Sequence, residues 1–260
     1  MHHVALAIET SNPALGSEIA LARCNEAGTE VDWSTLVVEP VALRNDDAVQ
    51  AAHRACTRMG VAPKHLRRIA VSVGPGGFTS VRVAVTSARM IAEVCGASLV
   101  GVPSSLVAAL GWQEHAQAGE HAVVALASKG ESAFITCWRA SSEQLPLPTL
   151  QQVTGEQGSV MTAQELQGLM THLVPASSRM DSSCVLLADE FLPSSMRDIC
   201  VSRNMHVQLP KLGAASCLRA GLHLAPCDPL VLSPLYPREP EAVTKWRELK
   251  QDKLKQAKLS

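Results

Sequence analysis

The sequence predicts an α/β protein of two lobes, each based on a βββαβα unit. Three observations lead there. Short apolar runs bounded by turn residues alternate with segments whose apolar residues recur every three or four positions, the strand and helix patterns respectively. A glycine-rich turn follows one of the strands and opens a helix. The order of elements in the first half has a weaker echo in the second, which suggests a duplicated architecture. The 260 residues suit this plan and can bury a sizeable core. We divide them into a first lobe over 1–111, a second over 112–243 and a basic tail over 244–260.

In chain order, Val4 to Ile8 is an apolar run that reads as a buried strand. Ser17 to Ala22 and Trp33 to Val38 read as two more, separated by the turn cluster Asn25-Glu26-Ala27-Gly28. The period then changes. Val49, Ala52, Cys56 and Met59 form one helical stripe, with Asn45-Asp46-Asp47 as cap and first-turn acids and Gly60 as the stop. Arg68 to Val73 is a strand that runs into Gly74-Pro75-Gly76-Gly77. Thr79 or Ser80 can cap the next helix, which carries Val81, Ala84, Val85, Ala88, Ile91 and Val94 and stops at Gly96. Ser98 to Val102 and Ser104 to Gly111 follow as strand and helix.

The second half starts with strands at His121 to Ala127 and Ala133 to Trp138 around a Ser128-Lys129-Gly130 turn. Gln144 to Ser159 reads as loop with one more strand. Helices are expected at Thr162 to Leu173, Pro193 to Ile199 and Ala214 to Ala225, with strands at Val185 to Ala188 and Met205 to Leu209. Trp33, Trp112 and Trp138 are expected in the core or at the junction of the lobes.

Composition excludes several function classes. The chain is 47% hydrophobic and 18% charged with a net charge of −1, so disorder and a whole-surface polyanion binder are both disfavoured. Aromatics are only 3%, too few for a base-stacking platform of the RNA-recognition type. The eight cysteines include no C-x-x-C, and Met1 to Ile8 is too short for a secretory signal, so free thiols in a reducing cytoplasm are expected. Val94 to Gln113 lacks charge over a membrane-spanning length, but Gly96, Gly101, Pro103 and Gly111 break it into strand, turn and helix. No two of the nine histidines have H-x-x-x-H spacing, and neither a metal motif nor a catalytic triad can be named.

Glycines between a strand and a helix let backbone N–H groups approach a phosphate. Gly74-Pro75-Gly76-Gly77-Phe78-Thr79 lies there, yet it is neither a Walker loop nor a dinucleotide fingerprint, and a purely structural corner reads equally well. The continuation is more specific. Ser72 to Val83 resembles the string "GPGSFTGLRIG", Gly101 to Leu106 resembles "GVSSL", Ala7-Ile8-Glu9-Thr10-Ser11 resembles "AIDTS", and Leu235 to Val243 resembles "LYLRxPEAV". By these four strings the chain is similar to the TsaB (YeaZ-like) family, a subunit of the bacterial tRNA threonylcarbamoyladenosine synthesis system. The likeness is dense from Val4 to about Leu110, returns at Leu235 and is thin between.

That resemblance implies the actin-like ATPase (sugar kinase/Hsp70/actin) fold. It also implies a heterodimer with a catalytic TsaD-type paralogue, action with a TsaE-type ATPase, and access to tRNA through the complex. The complex moves a threonylcarbamoyl group onto N6 of the adenosine beside the anticodon in tRNAs reading codons that start with A. The chain itself is then expected to be a non-catalytic partner with no metal site. Glu9, Thr10, Ser11, Gly74, Pro75, Gly76, Gly77, Phe78 and Thr79 would form a vestigial phosphate loop, with weak adenine nucleotide and Mg²⁺ as the cofactor left open. In the family the first-lobe helices of the two subunits pack together. Val49, Ala52, Arg54, Cys56, Arg58, Met59, Val81, Arg82, Val85, Ala88 and Arg89 are therefore the candidate partner surface; the alternative is that the apolar stripes face the sheet and the partner uses Arg54, Arg58 or Arg89. Whether a homodimer forms is left open.

Departures from the family strings fit a scaffold. Glu9 stands for the usual Asp, Arg44-Asn45 for a His-Ser/Thr, Ser80 for a glycine, and Ala127-Ser128-Lys129 for "DAR". Arg82 can pair with Glu9, with a partner's carboxylate, or with nothing. Tyr236 and Trp246, flanking Arg238, can fasten the C-terminal segment to the body. The tail, Thr244 to Leu259, carries six basic residues against two acidic ones, and reads as a solvated helix or as an arm on tRNA phosphates. The rival function is a nucleotide-dependent small-molecule kinase of the same fold, with Glu9 and Asp189 as its available acids.

Overall fold

In the computed structural model, residues 3–12, 14–41, 48–140, 150–153, 158–173 and 184–238 are described, together with 243, 246, 247 and 250. The first half runs β1 (His3–Glu9), β2 (Glu18–Cys24), β3 (Val31–Pro40), α1 (Ala48–Met59), β4 (Leu66–Gly74), α2 (Phe78–Cys95), β5 (Ser98–Pro103) and α3 (Ser104–Gln113). The second runs β6 (His121–Lys129), β7 (Ser132–Ala140), β8 (Leu150–Gln152), β9 (Ser159–Thr162), α4 (Ala163–Leu173), β10 (Cys184–Ala188), α5 (Ser194–Ser202), β11 (His206–Gln208) and α6 (Ala214–His223).

The echo between halves is a true repeat of topology. The first sheet has the order β3-β2-β1-β4-β5 and the second β8-β7-β6-β10-β11, with β9 added on β7. In both, the first three strands form an antiparallel meander and the last two join in parallel. This is the two-lobed actin-like arrangement that the resemblance implied.

Five layers result. On β1, Val4, Leu6 and Ile8 face α1 and α2, while Ala5 and Ala7 face α3 and α6. Period-two alternation thus puts the large residues on one face and the small ones on the other. The small face lets α6 lie close to β1 and β4. Helices α3 and α6 fill the layer between the sheets, and Ser104 to Trp112 is buried all round, as a helix in that position must be. Helices α4 and α5 cover the far side of the second sheet.

Some expectations need correction. Helix α2 is capped at Gly77, not at Thr79 or Ser80; Ser80 instead donates its hydroxyl to the Gly77 carbonyl at 3.0 Å. Its end is as expected: Gly96 takes φ 63°, a conformation that costs a glycine little. Val94, assigned to the core stripe, is 87% exposed, because it lies on the opposite flank of α2. Trp33 is also partly exposed, beneath the Arg219 guanidinium, whereas Trp112 and Trp138 do fill the central layer. The cap at 45–47 lies outside the described residues, as does most of 141–157 and most of the tail. Among the described residues no helix is long and apolar enough to cross a membrane.

All eight cysteines are free thiols. Burial pushes Cys137 and Cys184 up to about 12 and Cys200 up to about 11. The thiolate is the reacting form. We therefore expect Cys56, Cys137, Cys200 and Cys217, all buried, to react with Ellman's reagent only after denaturation, as a stepped thiol titration would reveal.

Candidate functional site

Strand β1 ends at the mouth of the cleft between the lobes, and the glycine loop between β4 and α2 lies beside it. The predicted loop residues come together, with Ser11 of the first turn packed against Gly76 and Gly77. The Gly77 N–H, one of the donors a phosphate would need, is bonded to the Ser11 carbonyl at 2.7 Å. Gly76 is pressed against the same residue: a Cβ built there would lie 2.1 Å from the Ser11 carbonyl oxygen. The glycine is required by chain-on-chain approach. Phe78, the first residue of α2, carries the Tyr236 ring at 5.0 Å and the Arg82 guanidinium at 5.2 Å. Arg82 therefore does not pair with Glu9. Thr10 bonds the Ser80 carbonyl through its hydroxyl, at 3.2 Å.

Glu9 is fully buried. One carboxyl oxygen accepts from the Ser11 N–H at 2.8 Å and from the Ser11 hydroxyl at 2.5 Å, and the Ser72 hydroxyl also acts on the carboxyl. Burial raises its pKa above the ordinary 4.5, against the Ser11 and Ser72 hydrogen bonds that lower it. The sign of the pH effect follows. Below 4.5 both folded and unfolded chains carry the proton. Above it the unfolded chain ionises while Glu9 resists, so stability falls until the folded pKa is passed, then levels. Glu9→Gln removes that loss. It should be more stable than wild type near pH 7 by urea denaturation, with the advantage shrinking as the pH approaches 4.5.

From the second lobe, Asp189 follows β10 and accepts from the Phe191 N–H at 3.1 Å and from Asn12 of the first lobe at 3.3 Å. These residues, with Gly76, Gly77 and Ser128, line a cavity of about 230 Å³. Small-molecule sites usually need about 300 Å³ or more. The cavity, the occupied Gly77 donor and the inward carboxyl of Glu9 do not fit a magnesium nucleotide. Arg44-Asn45 lies outside the described residues.

A second feature lies on the outer face of the first lobe. Helices α1 and α2 leave an apolar groove of about 280 Å³ between them, lined by Val49, Cys56, Pro63, Met90, Val94 and Cys95 among others. Val49 is 43% and Met90 61% exposed. Several predicted interface residues are elsewhere: Val81, Val85 and Ala88 are buried against the sheet, because the strongest apolar stripe of α2 is its core face. Ala52 and Cys56 are also mainly core residues, and Met59 is half-buried. The arginines are engaged within the chain: Arg54 on the Pro40 carbonyl, Arg58 on Glu39 at 3.0 Å, and Arg89 on the Leu230 carbonyl. Sequence reasoning missed Val83 and Met90, which share with Val94 a second stripe spaced by seven and four along α2.

A third cavity, about 450 Å³, lies between the end of α3 and strands β6, β10 and β11, against Trp112, His115, His121 and His206. Among the described residues no three His, Cys, Asp or Glu side chains are grouped to hold a metal ion.

Two lobes of repeated βββαβα topology, with a glycine loop packed on the end of β1, define the class: a two-lobed α/β protein of actin-like fold. Residues 45–203, more than half the sequence, match the family model described as TsaD: tRNA N6-adenosine threonylcarbamoyltransferase, and the chain belongs to that family. It is 38% identical over 87 residues to the tRNA threonylcarbamoyladenosine biosynthesis protein TsaB of Bacillus subtilis (strain 168), a match covering 34% of this chain and 35% of that protein. The match thus spans about a third of the curated relative's length. Among solved structures, a Pseudomonas aeruginosa protein with similarity to the peptidase YEAZ aligns with TM-score 0.65 at 16% identity, over 91% of this chain and all of its own. YeaZ from Pseudomonas aeruginosa aligns with TM-score 0.63 at 17% identity, over 90% of this chain and 99% of its own. At such identities the likeness is one of fold.

Proposed function

We propose that the chain is a TsaB-type, non-catalytic partner of a TsaD-type paralogue in the threonylcarbamoylation of tRNA adenosine, acting in the cytoplasm. The observation that carries this reading is the exposed apolar groove between α1 and α2. A groove with Val94 87% exposed at its rim is a surface that another apolar helix face can cover. The TsaB relative and the YeaZ structures support the same reading. On it, the chain meets tRNA and a TsaE-type ATPase through the complex, and a second copy of the chain can cover the groove when the partner is absent. Adenine nucleotide with Mg²⁺ is not needed for this role. The kinase alternative is disfavoured by Glu9, which is turned into the protein and bonded to Ser11. The test is co-purification with the TsaD-type protein of the same organism, followed by reconstitution of tRNA modification with and without this chain. Modification that depends on the chain, with no ATP hydrolysis by the chain alone, is the expected result. Robust hydrolysis lost in Glu9→Ala would replace this reading with the kinase.

A further inference from the structure

We propose that residues 227–238 form a clamp that fixes the angle between the two lobes, with Arg238 as its anchor on the second lobe. The segment begins on the open edge of the first sheet, where the Cys227 N–H bonds the Leu99 carbonyl at 2.8 Å. Leu232 then lies on Gly101 of β5, so closely that a Cβ there would sit 2.7 Å from its side chain. Arg89 of α2 donates to the Leu230 carbonyl at 3.2 Å. Next, the Leu235 N–H bonds the Val73 carbonyl at 2.7 Å, at the entry to the glycine loop, and Tyr236 packs on Phe78. Up to this point every contact is to the first lobe.

Arg238 crosses to the second. Its guanidinium donates to the Ala127 carbonyl, to the Ser132 carbonyl at 2.8 Å and to the Ser132 hydroxyl at 2.9 Å. These acceptors flank the turn between β6 and β7. A planar fork held by three acceptors fixes direction as well as distance, which a lysine on one acceptor would not. The lobes also meet through the α3–α6 layer, where Arg68 of β4 donates to the Gly221 and Leu224 carbonyls at 2.6 Å and the Ala214 N–H donates to Glu18 of β2 at 3.1 Å, so the clamp adds to that hold a separate contact beside the glycine loop. The Asn12–Asp189 hydrogen bond at the cleft is long, 3.3 Å. The clamp meets the second lobe at Ala127, which lines the cavity shared with the glycine loop.

The test is hydrogen exchange by mass spectrometry on the full chain, wild type against Arg238→Ala. Loss of the anchor should speed exchange about tenfold or more on both sides of the cleft, in 126–134 and in 74–81, while β1 and α1 keep wild-type protection. Small-angle scattering should show a broader distribution of shapes. Acceleration confined to 235–238 would overturn the clamp. Should Arg238→Ala fail to fold, Tyr236→Ala decides the matter: faster exchange on both sides of the cleft upholds the proposal, and faster exchange around Phe78 alone defeats it.

Discussion

Replacing Met90 and Val94 together with glutamate is expected to abolish capture of the TsaD-type partner while far-ultraviolet circular dichroism stays native. Both side chains are more than half exposed in the free chain, so the new carboxylates remain hydrated there and folding is little affected. In a complex that covers the groove, both would have to leave water for an apolar surface. That costs several kcal/mol per unpaired charge, so binding should weaken by a factor of roughly 1,000 or more. Val201→Glu, a matched change on the exposed side of α5 in the other lobe, controls for charge alone and should bind normally. Wild-type affinity in the double variant would show that the partner sits elsewhere. The same variants run by light scattering separate self-association from partner binding, because only a homodimer built on the groove would dissociate in the absence of partner.

Gly76→Ala should produce the largest loss of stability of any single methyl addition on the first lobe. The new Cβ would meet the Ser11 carbonyl oxygen at 2.1 Å, its carbon at 2.8 Å and its Cβ at 2.9 Å. None of these is the end of a flexible side chain, so the loop itself must move, and the Gly77–Ser11 hydrogen bond goes with it. Overpacking of this kind costs about 3 kcal/mol, read as a lower urea midpoint at unchanged slope. Gly168→Ala is the contrast. Gly168 lies on the solvent side of α4 with nothing within 4 Å of the added methyl, and alanine there should stabilise by about 0.5–1 kcal/mol. A Gly76→Ala protein as stable as wild type would mean that Ser11 and the glycine loop do not pack as described.

Reading the residues in order recovered most elements because their periods are unambiguous. Val4 to Ile8 has no charge and Ser104 to Leu110 none either, and such runs have few alternatives to a buried strand or helix. The four strings at Glu9, Gly74, Gly101 and Leu235 carried the family, and their order along the chain was enough for it. Short strands such as β8 and β11 are set by pairing with a neighbour rather than by their own three residues.

The sequence by itself thus determined the α/β class, the repeated order of elements and the family resemblance. Only the tertiary structure decided what the loop and the helices present. Whether Gly77 offers its N–H to a ligand depends on Ser11, more than sixty residues away in sequence and bonded to it across the sheet end. Whether a valine of α2 faces the sheet or a partner depends on the rotation of the helix about its axis. Val81 and Val83 are two residues apart, yet one is buried and the other 48% exposed. An apolar residue reads the same in a sequence on either face, since burial is a property of what packs against it.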